Sequence, residues 1–269
     1  MPTNDLRLRL DVIFRSNGPA FIALIGIIVG WEGAFRLLGV PSYLMPMPSE
    51  IATALVSQWP SIRRNVGVTI MEAAGGFALG NVAAIVFAAV FVHSRMLERA
   101  LYPFAVASYT VPVLAIAPIL IILFGNGYTP KVLIAAIISF FPTLVNVTRG
   151  FRAVDRSALE LMHVLSATRR QVFFKLRVPS SLPFFFAALK IASPAAVISA
   201  IVAEWIGSDA GLGYLIVLAT FNFRTDLLYA TLVVSSLVSI GFFGIVLLVE
   251  RCVVRWREET SVDPMSGSC

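Results

Sequence analysis

The chain has 269 residues, of which 58% are hydrophobic and only 13% charged. Its mean hydropathy is +0.86. A soluble domain needs about a quarter of its residues charged to stay dispersed, so this composition excludes an ordinary soluble protein and points to a bilayer. A net charge of +6 comes with it; no basic run interleaves with aromatics, so the charge marks membrane topology rather than nucleic-acid binding.

The first polar residues carry Arg7, Arg9 and Arg15, and residues 1–18 read as a cytoplasmic N-terminus. The apolar run Pro19 to Leu38 follows. It is too long for a signal-peptide core and reads as a first span, because about 20 apolar residues cross the hydrocarbon. After Pro41, Pro46 and Pro48, a short interfacial helix is expected over Ser49 to Trp59, with Ser49 as its cap. Further spans are expected over Val66 to Val92, over Tyr102 to Phe124 with interruptions at Pro112 and Pro118, and over Lys131 to Val147. Two more are expected over Phe184 to Ala203 and Leu228 to Val249, before a cytoplasmic tail at 251–269. The reading is therefore an all-α polytopic membrane protein of about six helices, one transmembrane domain over 19–250.

Charge sets the orientation. With the N-terminus inside, only Arg36, Arg63, Arg64, Lys131 and Arg224 of the 21 basic residues fall on outer segments. Basic residues gather on cytoplasmic loops, so both termini are expected in the cytoplasm of a multi-pass plasma (inner) membrane protein. Cys252 and Cys269 lack metal-ligand spacing and read as reduced thiols, and His93 and His163 are isolated.

The segment from Arg149 to Pro183 departs from the apolar pattern, with seven basic residues from Arg149 to Arg177. Ser157-Ala158-Leu159-Glu160 and Thr168-Arg169-Arg170-Gln171 both have capping-box spacing, which predicts two short helices joined near Ser166. Ala158, Leu161, Val164 and Leu165 share one face of the first. Val178-Pro179 is expected to end the unit. Such an amphipathic hairpin at 150–183 could lie on lipid or dock into a partner.

This segment resembles the cytoplasmic loop of permease subunits of binding-protein-dependent ABC importers. Glu160-Leu161-Met162 stands at that family's Glu-Ala-Ala triplet, Ser166-Ala167 at its Gly turn, and Pro179 and Pro183 at its exit; Leu161, Met162 and Ser166 depart from the pattern. Leu44 to Glu50, Phe124-Gly125-Asn126-Gly127, and Ala203-Glu204 with Gly211-Leu212-Gly213-Tyr214 extend the resemblance along the chain. Together they resemble the nitrate/sulfonate/taurine branch, which includes pyrimidine- and vitamin-precursor permeases. The resemblance implies a type I importer permease fold and coupling to an ATPase through Ser157, Glu160, Leu161, Val164, Leu165, Ser166, Ala167 and Pro179. It also implies two separate ATPase subunits using ATP and Mg, a second permease copy, an extracytoplasmic binding protein, and no cofactor on this chain. No G-x-x-x-x-G-K-[ST] pattern occurs, so the chain itself is expected to hydrolyse nothing. Ionisable residues within spans are costly, which makes Glu72 and Glu204 candidates for the translocation path. Glu32 and Glu204 also read as interfacial residues near the outer ends of their spans. A Glu72 facing the path would repel an anion, which favours a pyrimidine or vitamin precursor over nitrate or a sulfonate. A secondary transporter would show coupling-ion ligands and repeated halves, and a membrane enzyme would cluster His, Asp or Glu. Neither pattern is present, and a membrane scaffold is the remaining alternative.

Overall fold

A computed structural model describes residues 3–109 and 112–254, with side chains for all of these except 3–17, 20, 21, 104–106, 108, 109, 113 and 114. The basic residues of the extreme N-terminus, Arg255, Arg257 and Cys269 lie outside the described side chains. The described residues are almost entirely helical, as the long apolar runs require: backbone polar groups in hydrocarbon must be satisfied within their own segment. The helices are α1 (Thr3–Leu38), α2 (Pro48–Ser57), α3 (Trp59–His93), α4 (Arg95–Tyr109), α5 (Val113–Phe124) and α6 (Tyr128–Arg152). They continue with α7 (Arg156–Val164), α8 (Arg169–Val172), α9 (Val178–Ile206), α10 (Leu212–Phe221) and α11 (Thr225–Val253).

Among the described residues, four helical stretches are long and apolar enough to cross a membrane: Trp59–His93, Tyr128–Arg152, Arg169–Ile206 and Thr225–Val253. The first expected span is the C-terminal part of α1. The third is the α4–α5 pair, with Pro112 as the extended N-cap of α5, whereas Pro118 is carried inside α5. Large apolar side chains stay exposed along these helices, with Ile22 at 73%, Ile122 at 83% and Ile240 at 65%. That surface is stable against lipid or another membrane chain, not against water.

The chain forms two compact units. In the one built from Met1–Asn65 and Leu215–Val234, α1 and the α2 segment are tied by the Glu32 carboxylate. It accepts from Ser49 N–H at 3.0 Å, Ser49 Oγ at 2.8 Å and Arg36 Nε at 2.8 Å. Ser49 is thus not the cap of α2. Met47 occupies that position, Pro48 fills the first turn where its missing N–H costs nothing, and Glu50 accepts from Met47 N–H at 2.9 Å. Trp31 stands edge-on to Tyr229, ring centroids 6.4 Å apart.

In the other unit, Val66–Tyr214 with Ser235–Cys269, α6 and α9 pack together extensively. Ala84, Ala88 and Phe91 of α3 pack with Leu144, Val147 and Phe151 of α6. Gly76 and Gly80 let α3 approach α6 closely. A Cβ on Gly76 would lie 2.3 Å from the Ala135 Cβ, and one on Gly80 would lie 2.3 Å from the Ala136 carbonyl oxygen. Small residues at a four-residue spacing drive membrane helices together where no hydrophobic effect can.

The expected stop at Val178-Pro179 is absent. The helix runs from Arg169 to Ile206 without a break. Phe173–Arg177 widens to a π turn, in which Val178 N–H bonds to the Phe173 carbonyl. A π turn pairs each carbonyl with the residue five ahead, so Pro179, in the first turn of α9, is accommodated without ending the rod.

Candidate functional site

The basic segment folds as a helical hairpin with fixed ends. Arg149 and Arg152 occupy the last turn of α6, where cations complement the helix dipole. The N-cap of α7 is Asp155, not Ser157: its backbone is extended, and its carboxylate accepts from Ser157 N–H at 3.3 Å and Ser157 Oγ at 2.7 Å. Those bonds hold the Asp155 carboxyl below its usual range. Glu160 therefore does not close a capping box. It pairs with Arg156 at 3.2 Å on an exposed face, a contact worth a few tenths of a kcal/mol at most, about 0.3–0.5.

Ser166 ends α7 in the left-handed region, φ +52°. Its N–H bonds to the His163 carbonyl at 2.9 Å, and Ala167 N–H bonds to the Met162 carbonyl at 2.9 Å. This pair of bonds is a Schellman motif, whose left-handed residue is usually glycine. The turn does need positive φ, and serine bears that strain here. Thr168 then caps α8 as its spacing predicted: Gln171 N–H reaches Thr168 Oγ1 at 3.3 Å and Thr168 N–H reaches Gln171 Oε1 at 2.8 Å. Phe173 anchors the second arm against His93 and Phe151 at centroid distances of 4.9 and 5.3 Å. The predicted apolar stripe of α7 is left uncovered, with Leu161, Val164 and Leu165 at 59%, 79% and 66% exposure. Ala167 and Pro179 are half-buried.

A second site lies among α3, α6, α9 and the start of α10. Glu72 and Glu204 come together there, both buried, at 2% and 1% exposure. Glu204 is thus shielded from solvent, although it stands near the end of α9. Its carboxylate accepts from Thr69 Oγ1 at 2.7 Å and from Gly213 N–H at 2.5 Å, while Thr69 Oγ1 accepts from Leu212 N–H at 2.8 Å. Side chains of α3 and α9 thereby satisfy the N–H groups that the first turn of α10 leaves orphaned. Gly211, at φ +113°, and Gly213 make room for this carboxylate: a Cβ on Gly211 would lie 2.2 Å from the Glu204 carboxyl carbon. Lys131 is buried too, its Nζ 3.9 Å from Glu72 Oε1, and so is not the solvated outer residue its place in the charge count assumed. Thr69 escaped the sequence reading altogether; its only signal is its position one turn before Glu72 in the second expected span. Lys190 pairs with Glu250 at 3.0 Å.

Among the described residues, four apolar stretches long enough to cross a bilayer, with an exposed, capped hairpin between two of them, define a polytopic membrane protein. Residues 80–255 match the family described as the binding-protein-dependent transport system inner membrane component, and the chain belongs to it, as the permease subunit of an ATP-driven ABC importer. It is 36% identical to the formylaminopyrimidine transport permease protein ThiX of Halalkalibacterium halodurans over 87% of this chain and 93% of that one. It is 31% identical to the riboflavin transport system permease protein RibX of Chloroflexus aurantiacus over 96% and 98%. A putative aliphatic sulfonates transport permease protein, SsuC of Bacillus subtilis, is 29% identical over 89% and 86%. Among solved structures, an amino acid ABC transporter with histidines superposes with a TM-score of 0.62 at 16% identity, covering 75% of this chain and 98% of that one. The MetNI methionine ABC transporter in an inward-facing form gives 0.57 at 16% identity, covering 72% and 94%. These two fix the type I importer permease fold.

Proposed function

We propose that two copies of this chain face each other across a translocation path, each seating its hairpin on one of two ATPase subunits. Ser157, Glu160, Leu161, Val164, Leu165, Ser166, Ala167 and Pro179 form the coupling element. The ATPase subunits use ATP and Mg; this chain has no P-loop and needs no cofactor. An extracytoplasmic binding protein delivers the solute, and both termini lie in the cytoplasm. The solute is a pyrimidine or vitamin precursor, a reading supported by relatives at 36% and 31% identity that are named for formylaminopyrimidine and riboflavin. The sulfonate permease at 29% identity supports an organic anion as the second reading. Glu72 and Glu204 brace the helices that border the path.

The observation that carries this reading is the uncovered stripe of Leu161, Val164 and Leu165 on a helix capped at both ends. A lipid-bound segment gains nothing from a fixed exit turn, whereas force transmission requires one. Movement of the ATPase pair then reaches the α9 span through an unbroken rod. Leu165→Asp tests it. Losing a buried leucine at the docking face costs about 1.5–3 kcal/mol, so ATPase co-purification should fall at least tenfold while the permease still inserts. Uptake of labelled formylaminopyrimidine, riboflavin and an alkanesulfonate into proteoliposomes, with the binding protein supplied, separates the substrate classes. Unchanged co-purification and uptake in Leu165→Asp would refute the coupling assignment.

A further inference from the structure

A cavity of about 750 Å³ opens where α3, α4 and α6 reach the ends of their apolar stretches. Arg95, Arg99, Arg152 and Arg177 converge on it, and Glu98 is the one acid in its lining. Glu98 is already paired with Arg152. Arg95, Arg99 and Arg177 have no carboxylate partner among the described residues, so the lining carries a net charge of about +3. Three like charges held around one opening repel each other, and a bound anion relieves that repulsion. The rest of the wall is apolar: Val92, Tyr102, Pro103 and Phe151. Leu159 of α7 closes one side. It lies roughly half a turn around that helix from Leu161, Val164 and Leu165, so a partner seated on the exposed stripe leaves the cavity free.

We propose that this cavity binds the phosphate-bearing headgroup of an anionic membrane lipid. Guanidinium groups pair phosphate oxygens bidentately. The apolar wall beside them, at the level where the hydrocarbon ends, suits the glycerol and first methylenes of an acyl chain and offers nothing to a free ion. Basic pockets between helices at the membrane boundary take acidic headgroups for this reason. The inference stands apart from the transport reading: lipid retention is measured on the permease whether or not its hairpin couples to an ATPase.

The test is native mass spectrometry of the detergent-purified transporter, titrated with dioleoyl phosphatidylglycerol, dioleoyl phosphatidylcholine, or glycerol 3-phosphate. Phosphatidylglycerol adducts should survive at activation energies that strip phosphatidylcholine, and glycerol 3-phosphate at equal concentration should not displace them. Each arginine is worth about fivefold at such a surface. Arg95→Gln/Arg99→Gln/Arg177→Gln should therefore lower retention at least tenfold, and the corresponding triple lysine variant should restore most of it. If the triple glutamine variant does not purify, Arg99→Gln alone should give about a fivefold loss. Equal retention of the two lipids, or wild-type retention in the glutamine variants, overturns the site. Displacement by glycerol 3-phosphate overturns the lipid assignment in favour of a soluble phosphate.

Discussion

Thr69→Val isolates the polar tie between α3, α9 and α10 without changing its shape. The Thr69 side chain is fully buried, donates to Glu204 at 2.7 Å and accepts from Leu212 N–H at 2.8 Å. Valine fills the same volume and makes neither bond. The change strands a backbone N–H and a carboxylate oxygen in a dry interior, each at about 1–3 kcal/mol, so the expected loss is about 4 kcal/mol. Thr69→Ser keeps both bonds and removes one methyl group, for about 1 kcal/mol. Scanning fluorimetry of the purified permease in detergent should separate them. At about 2–4 °C per kcal/mol for a chain of this size, the valine variant should melt about 8–16 °C low and the serine variant only about 2–4 °C low. A valine variant melting at or above the serine variant would show that the hydroxyl contributes only packing, and the tie would be wrong.

The turn at Ser166 should prefer glycine: Ser166→Gly relieves the left-handed strain, and Ser166→Ile adds about 1–2 kcal/mol of it. Substrate-stimulated ATPase activity should be retained in the first and fall in the second. Gly76→Leu drives a side chain into Ala135 and should block assembly of α3 on α6, read as loss of protein from the membrane fraction, whereas Gly67→Leu, where an added Cβ would meet no heavy atom within 4 Å, should be tolerated. The Asp155 carboxyl titrates below its ordinary 3.8, so its contribution to α7 is complete above that value and disappears as pH falls through the depressed one. Protease nicking within 155–165 should rise over that acid window, and Asp155→Ala should show the rise already at neutral pH.

The parts legible in the sequence were those with local causes. Apolar runs marked the spans, Pro112 marked the N-cap of α5, and Thr168 with Gln171 marked the start of α8. Where two local signals competed, pattern alone did not decide. Asp155 and Ser157 can both cap a helix, and the extended backbone at Asp155 settles the choice two residues earlier. The proline at 179 reads as a terminator because its tolerance depends on a π turn that propensity does not encode. The Glu204 site is the least local of all. Leu212 and Thr69 are separated by 143 positions, and nothing near either residue announces the contact. The glycines at 211 and 213 were visible as a motif, yet their physical reason, room for a buried carboxylate, appears only when the helices are assembled.

The π turn also fixes how the hairpin is aimed. An α-helix advances 100° and 1.5 Å per residue, and a π turn holds one extra residue without ending the rod. The exposed stripe of α7 and the α6-facing side of α9 are therefore set at an angle determined by Phe173–Arg177. Deleting Phe174 and Lys175, two exposed residues of that turn, removes the extra residue of the π turn and one more, leaving a regular α-helix one residue short. All the span residues can then keep their packing on α6 while the hairpin rotates about 100°. Phe173 leaves its place against Phe151, and Leu161, Val164 and Leu165 face a new direction. The expected outcome is normal membrane insertion, a near-complete loss of uptake, and recovery when one alanine is inserted after Leu176. Wild-type uptake in the deletion variant would mean that the hairpin adjusts its own direction, and the rigid link between hairpin and span would have to be abandoned.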